Sequence, residues 1–214
     1  VGEVRVIPLT VKARILEGFV SNAPIHLDAL LAGAVAMRDG MLLAPLTLAD
    51  IRPIQLPLQR SECGRYWLAS AGVYQERCSE LRHWHWRAPW VEYARLGDAK
   101  KCRRVQLTTG ENKSYRCPYE VKVPVDGVIQ WWAIGDVDEV RALLRLIHYL
   151  GKRRGSGKGR VAEWHVEPCE PWGKGFPVRQ GGEPLRNLPA TRGSMLRLEP
   201  PYWMREGRVR CEGP

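Results

Sequence analysis

Residues 136 to 166 read DVDEVRALLRLIHYLGKRRGSGKGRVAEWHV, and the order helix, glycine loop, strand within them decides the fold. Asp136 and Glu139 form an Asx-type capping box, and Val140, Leu143, Leu144, Ile147 and Leu150 recur at helical spacing, so the pattern predicts a helix that ends at Gly151. Ala162, Trp164 and Val166 then alternate as in a half-buried strand. Between them, Gly151, Gly155, Gly157 and Gly159 are interleaved with Lys152, Arg153, Arg154, Ser156, Lys158 and Arg160. Glycines allow positive φ and close backbone approach, successive N–H groups can form an anion nest, and the cations would neutralise phosphates. A Walker A loop fails here because Gly159 follows Gly157-Lys158 where Ser or Thr is needed. A dinucleotide fingerprint fails because these glycines follow a helix and precede a strand.

Arg141, Arg145, His148 and Lys152 would form a second stripe on that helix, running into the loop as a phosphate track. Upstream, residues 4 to 15 alternate as a strand with Lys12 and Arg14 on its open face. Residues 26 to 38 read as a buried helix with Asp28 in its first turn. Residues 66 to 74 read as a strand, 75 to 101 as an insertion dense in Arg, His and Trp, 103 to 109 and 115 to 123 as a hairpin, and 128 to 134 as a core strand. The order amounts to α+β, a ferredoxin-like (RRM-like) βαββαβ domain over residues 1–170 with an insertion at about 75–124. Residues 171–214, rich in Gly, Pro and Arg, form an irregular tail expected to wrap back over the domain.

The chain of 214 residues carries 33 Lys plus Arg against 23 Asp plus Glu, a formal charge of +10, the footprint of a nucleic-acid partner. It has no run of 18 apolar residues and no visible export signal, so a soluble, cytoplasmic protein is expected. The 6 cysteines form no Cys-x-x-Cys pair and are read as free, mostly buried thiols; neither a metal nor another cofactor is implied. Trp84, His85, Trp86 and Arg87 interleave aromatics with cations, which suits stacking on unpaired bases. The same alternation also fits a strand that buries Trp84 and Trp86 and exposes the histidines.

The helix and glycine loop, the helix-opening Pro24-Ile-His-Leu-Asp-Ala-Leu-Leu31 and the tail segment Pro200-Pro-Tyr-Trp203 together resemble the RAMP superfamily of CRISPR-associated proteins. They are most similar to its small type IV effector subunit, the counterpart of the Cas "five" protein. The resemblance implies a subunit of a ribonucleoprotein that caps the 5′ handle of the guide RNA (crRNA) and abuts backbone and large subunits, and it leaves contact with target DNA open. The glycine loop inherits the role of lying against RNA backbone. RNA contacts are therefore expected from Lys12, Arg14, His26, the 84–87 segment, Arg141, Arg145, His148 and residues 151–160, with no catalytic residue. One alternative is a metal-independent repeat-RNA endonuclease using His26 with His148, Lys12 or Tyr149. Another is a general RNA-binding protein.

Overall fold

The computed structural model describes residues 6–40, 54–86, 115–170, 186–202 and 204–214. Among these residues it is a mixed α+β protein with mostly antiparallel strands and two α-helices, compatible with a ferredoxin-like fold. The central strand is β1 (Val6–Ile15), flanked on one side by β4 (Val128–Asp136) and on the other by β5 (Val161–Pro168), both antiparallel to it. Strand periodicity sends Leu9, Val11, Ala13 and Ile15 to one face, where they are buried with Ile129, Trp131, Ala133 and Val166. Lys12 and Arg14 stay exposed on the other face, as their alternation predicts. Two helices cover the apolar face: α1 (Leu27–Arg38), through Leu27, Leu31, Ala34 and Val35, and α2 (Val137–Leu144), through Val140, Leu143 and Leu144. The buried Trp131 and half-buried Trp164 both have their indoles satisfied, Trp131 Nε1 donating to the Ile25 carbonyl at 2.7 Å and Trp164 Nε1 to that of Ile147 at 2.9 Å.

Asp136 caps α2 as expected, accepting from the amides of Asp138 and Glu139, both at 2.9 Å, but the reciprocal half of the capping box is absent: the Asp136 amide donates to the Pro57 carbonyl at 3.0 Å, and Glu139 accepts from Arg38 at 2.6 Å. The helix, however, is shorter than its apolar stripe. It ends at Leu144 with Arg145 as its C-cap, and the chain then straightens: the Leu150 amide donates to the Gly159 carbonyl and the Val161 amide to that of His148. Ile147, in the turn that follows the helix, and Leu150, paired across the loop with Gly159, are still buried, so helical spacing of apolar residues here reports burial without reporting helix. The expected strand over residues 66 to 74 is also a correction. It forms no continuous ladder with β4, pairing with it through isolated bridges, Ala69 to Ala133 and Val73 to Gln130. Ser70 explains why the segment stays irregular yet fixed, because its carbonyl accepts from the Leu27 amide at 3.1 Å and its hydroxyl from the Trp132 amide at 3.0 Å.

The insertion is more regular than its composition suggests. Strand β2 (Glu76–Trp86) pairs antiparallel with β3 (Tyr115–Pro124), so residues 115–124 take β2 as partner where the sequence pattern offered 103–109, which lies outside the described residues. The described part of the tail, from residue 186 onward, is not irregular either: β6 (Leu188–Leu196) and β7 (Val209–Glu212) form a two-stranded antiparallel sheet, packed through Leu188, Leu198 and Cys211 onto Tyr66. Of the cysteines described, Cys211 alone is buried; Cys63 and Cys78 are exposed and Cys117 and Cys169 half-buried, all as free thiols, so burial was over-read for most of them.

Candidate nucleic-acid interface

The glycine loop is built against the segment that leaves β1. Its edges are tied down by three backbone hydrogen bonds: Lys152 N to Val20 O at 2.7 Å, Gly159 N to Gly18 O at 3.1 Å, and Leu16 N to Arg160 O at 3.0 Å. Two of its glycines are demanded by this packing. A Cβ on Gly159, where φ is +73°, would meet the Leu150 carbonyl oxygen at 2.0 Å, and one on Gly151, where φ is +71°, would meet that of Val20 at 2.3 Å. Gly155 faces open space. Gly159→Ala is therefore expected to cost more than about 2 kcal/mol of stability, against a few tenths for Gly155→Ala. Chemical unfolding of the two variants side by side checks this, and equal midpoints would contradict it.

Between the tied edges, residues 154–156 make a single 3-10 turn, closed by Ser156 N to Arg153 O at 3.0 Å and Gly157 N to Arg154 O at 2.9 Å. Lys152, Arg154, Gly155, Ser156, Gly157 and Arg160 are exposed on this turn, beside exposed Arg145 and His148. The loop is thus a fixed, cationic projection on which charge and backbone are both offered to solvent. Arg153 differs from its neighbours. Its backbone is left-handed, with φ 61° and ψ 32°, and its guanidinium lies 5.0 Å from the Trp84 ring and 5.2 Å from the Tyr119 ring. Those rings stand on one face of the β2–β3 hairpin, with Tyr115 edge-on to Trp84 at 5.4 Å. Cation–π attraction thereby joins the glycine loop to the hairpin, and basic and aromatic groups form one surface.

Three expected RNA contacts are placed differently. Lys158 is buried and donates to the Glu17 carboxylate, which its hydrogen bond and charge hold below the ordinary carboxylate range; it is not a free cation for phosphate. Arg141 is spent within the fold, donating to Asp138 at 2.6 Å and to the Val166 carbonyl at 2.9 Å, because it sits on the helix side that meets β5. With α2 ending at Leu144, the stripe from Arg141 to Lys152 is not one helix face, although Arg145, His148 and Lys152 remain exposed around the turn. His26 is buried at the start of α1, its ring stacked on Tyr202 at 4.5 Å. Lys12 and Arg14 lie on the open sheet face, between Gln130 and His165 and between Val128 and Glu163. Arg87 and the Trp86 side chain lie outside the described residues.

Burial, then the charge of Arg186, lowers the His26 pKa from 6.5 to about 3. A histidine held neutral in the fold but protonated in the unfolded chain supports stability fully above pH 6.5 and loses that support as pH falls toward 3. Unfolding midpoints should therefore drop between pH 7 and 5, with a slope from this group of up to about 1.4 kcal/mol per pH unit. His26→Gln should flatten the profile, and an unaltered profile would contradict the assignment.

The sequence reading missed what covers His26. Asp28 and Arg186 are both fully buried, with Arg186 Nη2 at 3.4 Å from Asp28 Oδ2. The Tyr202 hydroxyl donates to the same carboxylate at 2.8 Å, and Arg186 also donates to the carbonyls of Trp67, Ala69 and Leu198. Asp28 is thus the anchor of the tail rather than a helix-dipole residue, and the Pro-Pro-Tyr segment is the part that reaches it.

Among the described residues no group of three or more His, Cys, Asp or Glu side chains could hold a metal, and no helix is long and apolar enough to cross a membrane. A search of curated proteins finds no match to the chain. The family model for the CRISPR type IV associated protein Csf3 matches residues 8–213, nearly the whole length and all of the surface described above. By that match the chain belongs to the Csf3 family of CRISPR type IV associated proteins, the subunit that corresponds to the Cas "five" protein.

Proposed function

We propose that this chain is a non-catalytic subunit that binds and caps the 5′ handle of the guide RNA in a type IV CRISPR ribonucleoprotein, and that it contacts the neighbouring backbone and large subunits. The observation that carries this reading is Arg153, held between Trp84 and Tyr119, which makes the fixed glycine loop and the aromatic hairpin face one continuous surface. Lys152, Arg154, Arg160, Arg145 and His148 supply charge for phosphates, and the rings supply faces for unpaired bases. We read the bridged segment around Ala69 and Val73 as an irregular fourth strand beside β4, which gives the order of a split βαβ sheet.

The reading without catalysis is supported by His26, the sequence's best general base, lying buried beneath Tyr202 while Lys12 stands exposed on the open sheet face. Incubating the protein with end-labelled CRISPR repeat RNA in EDTA tests both halves on the same samples. Intact, retained RNA is expected. Site-specific cleavage abolished by His26→Ala would make the chain a metal-independent processing endonuclease, and equal binding to any RNA would make it a general RNA binder.

A further inference from the structure

The two faces of the β2–β3 hairpin carry different chemistry. By cross-strand register Arg82, Trp84, Cys117 and Tyr119 share the face turned to Arg153, whereas His83, His85 and Arg116 share the opposite one. There Arg116 Nη2 lies 2.9 Å from His83 Nδ1, and the His83 and His85 rings are 6.3 Å apart. A guanidinium only donates, so Nδ1 accepts; His83 is neutral in this state and carries its proton on Nε2. By register the charged and titratable groups of that face, all from β2 and β3, are His83, His85, Arg116, Glu120 and Lys122, with Glu76 at its far end across from Pro124. Among the described residues Glu120 stands across from Leu81 and makes no ion pair with Arg116 or with either imidazole. Among the described residues this guanidinium is therefore bonded to a neutral imidazole with no carboxylate, a cation left for an outside anion.

We propose that this outer face is a second RNA-backbone site, at which Arg116, His83 and His85 take a phosphodiester of the bound guide strand, and that its hold tightens as the two imidazoles protonate. The inference rests on the guide-RNA reading above and extends it to the side of the hairpin away from the glycine loop. Protonation acts twice. It adds charge, and it places a hydrogen on His83 Nδ1, which can then no longer accept from Arg116; the guanidinium is released toward phosphate. Without RNA, partial desolvation, then Arg116 and His85, hold the His83 pKa below its ordinary value, whereas a phosphate would raise it. Binding is therefore linked to proton uptake, and affinity rises as pH falls through the imidazole range.

The test is fluorescence anisotropy of the full chain with single-stranded CRISPR repeat RNA at fixed salt, at pH 7.5 and 5.5. The native protein should gain on the order of tenfold in affinity at the lower pH. The triple variant H83A/H85A/R116A should lose most of that gain and bind modestly more weakly at pH 7.5, where the Arg116 charge is also missing. His85→Ala, which leaves the Arg116 to His83 contact in place, should lose part of it. K152A/R153A/R154A should bind more weakly at both pH values but keep the ratio between them. No gain in the native protein, an unreduced gain in the hairpin variant, or a gain abolished by His148→Ala would overturn the proposal. Preference for duplex DNA of the same sequence would overturn RNA as the occupant. Unweakened binding by the loop variant, with the hairpin effect present, would sink the loop's role and leave this site standing.

Discussion

Arg186→Ala is expected to lower the unfolding free energy by about 3–5 kcal/mol, the range for removing one partner of a buried ion pair. The cost comes from what remains. Asp28 would be left fully buried with Tyr202 and the Ala29 amide as its hydrogen-bond donors, at 2.8 Å each, and the carbonyls of Trp67, Ala69 and Leu198 would lose a donor. Since Arg186 also stacks over Tyr66 at 4.8 Å, its loss should loosen the tail sheet before the central sheet. Limited proteolysis should then cut the variant in the tail under conditions that leave the native protein whole. Removing the charge on both sides, as R186M/D28L, should recover part of the loss, because no unpaired buried charge remains. A loss below about 1 kcal/mol for the single variant would show that the buried pair does not hold the tail.

Alanine at Lys152, Arg153 and Arg154 together is expected to reduce the slope of log affinity against log salt by about 2 and to weaken RNA binding at low salt by tenfold to a hundredfold, roughly as three lost phosphate contacts on a single strand require. The fold should survive, since the anchors of the loop are the backbone bonds of Lys152 and Gly159 and the glycines at 151 and 159, which the variant keeps. Arg153→Lys separates the two roles of that residue. It keeps the charge but loses the planar guanidinium over Trp84 and Tyr119, so it should retain the salt slope while losing affinity. Titration of each variant at several salt concentrations reads both quantities. An unchanged slope in the triple variant would remove the glycine loop from the interface.

What could be read from the residues follows physical lines. The alternation of β1, the cap at Asp136 and the sequence 128–134 are local signals, and the structure has them where they were expected. The end of α2 was hidden because Ile147 and Leu150 keep helical spacing while the Ile147 amide closes a turn on the Leu144 carbonyl and the Leu150 amide crosses to Gly159 on the far side of the glycine loop. β3 was recognised, but its pairing with the aromatic stretch of β2 was not, because the turn-like Thr109-Gly-Glu-Asn-Lys113 offered a short hairpin with 103–109, residues that lie outside those described. Arg186 gave no signal at all. It is one arginine in a Gly- and Pro-rich stretch, and its acid partner is 158 residues away, so nothing in its neighbourhood marks it for burial. At the interface the loop cations were legible from composition, whereas Lys158 was not separable from them. Only the approach of Glu17 from the end of β1 distinguishes it.

The central claim is tested most directly by competition binding of the full chain to a guide RNA carrying its processed 5′ handle, against the same RNA with the handle replaced by an unrelated sequence, at one salt concentration. Tighter binding of the handle-bearing RNA by at least about tenfold, which is 1.4 kcal/mol, is the result the account predicts. Equal affinity for the two would contradict it, and would leave a basic surface that binds RNA without capping any particular end.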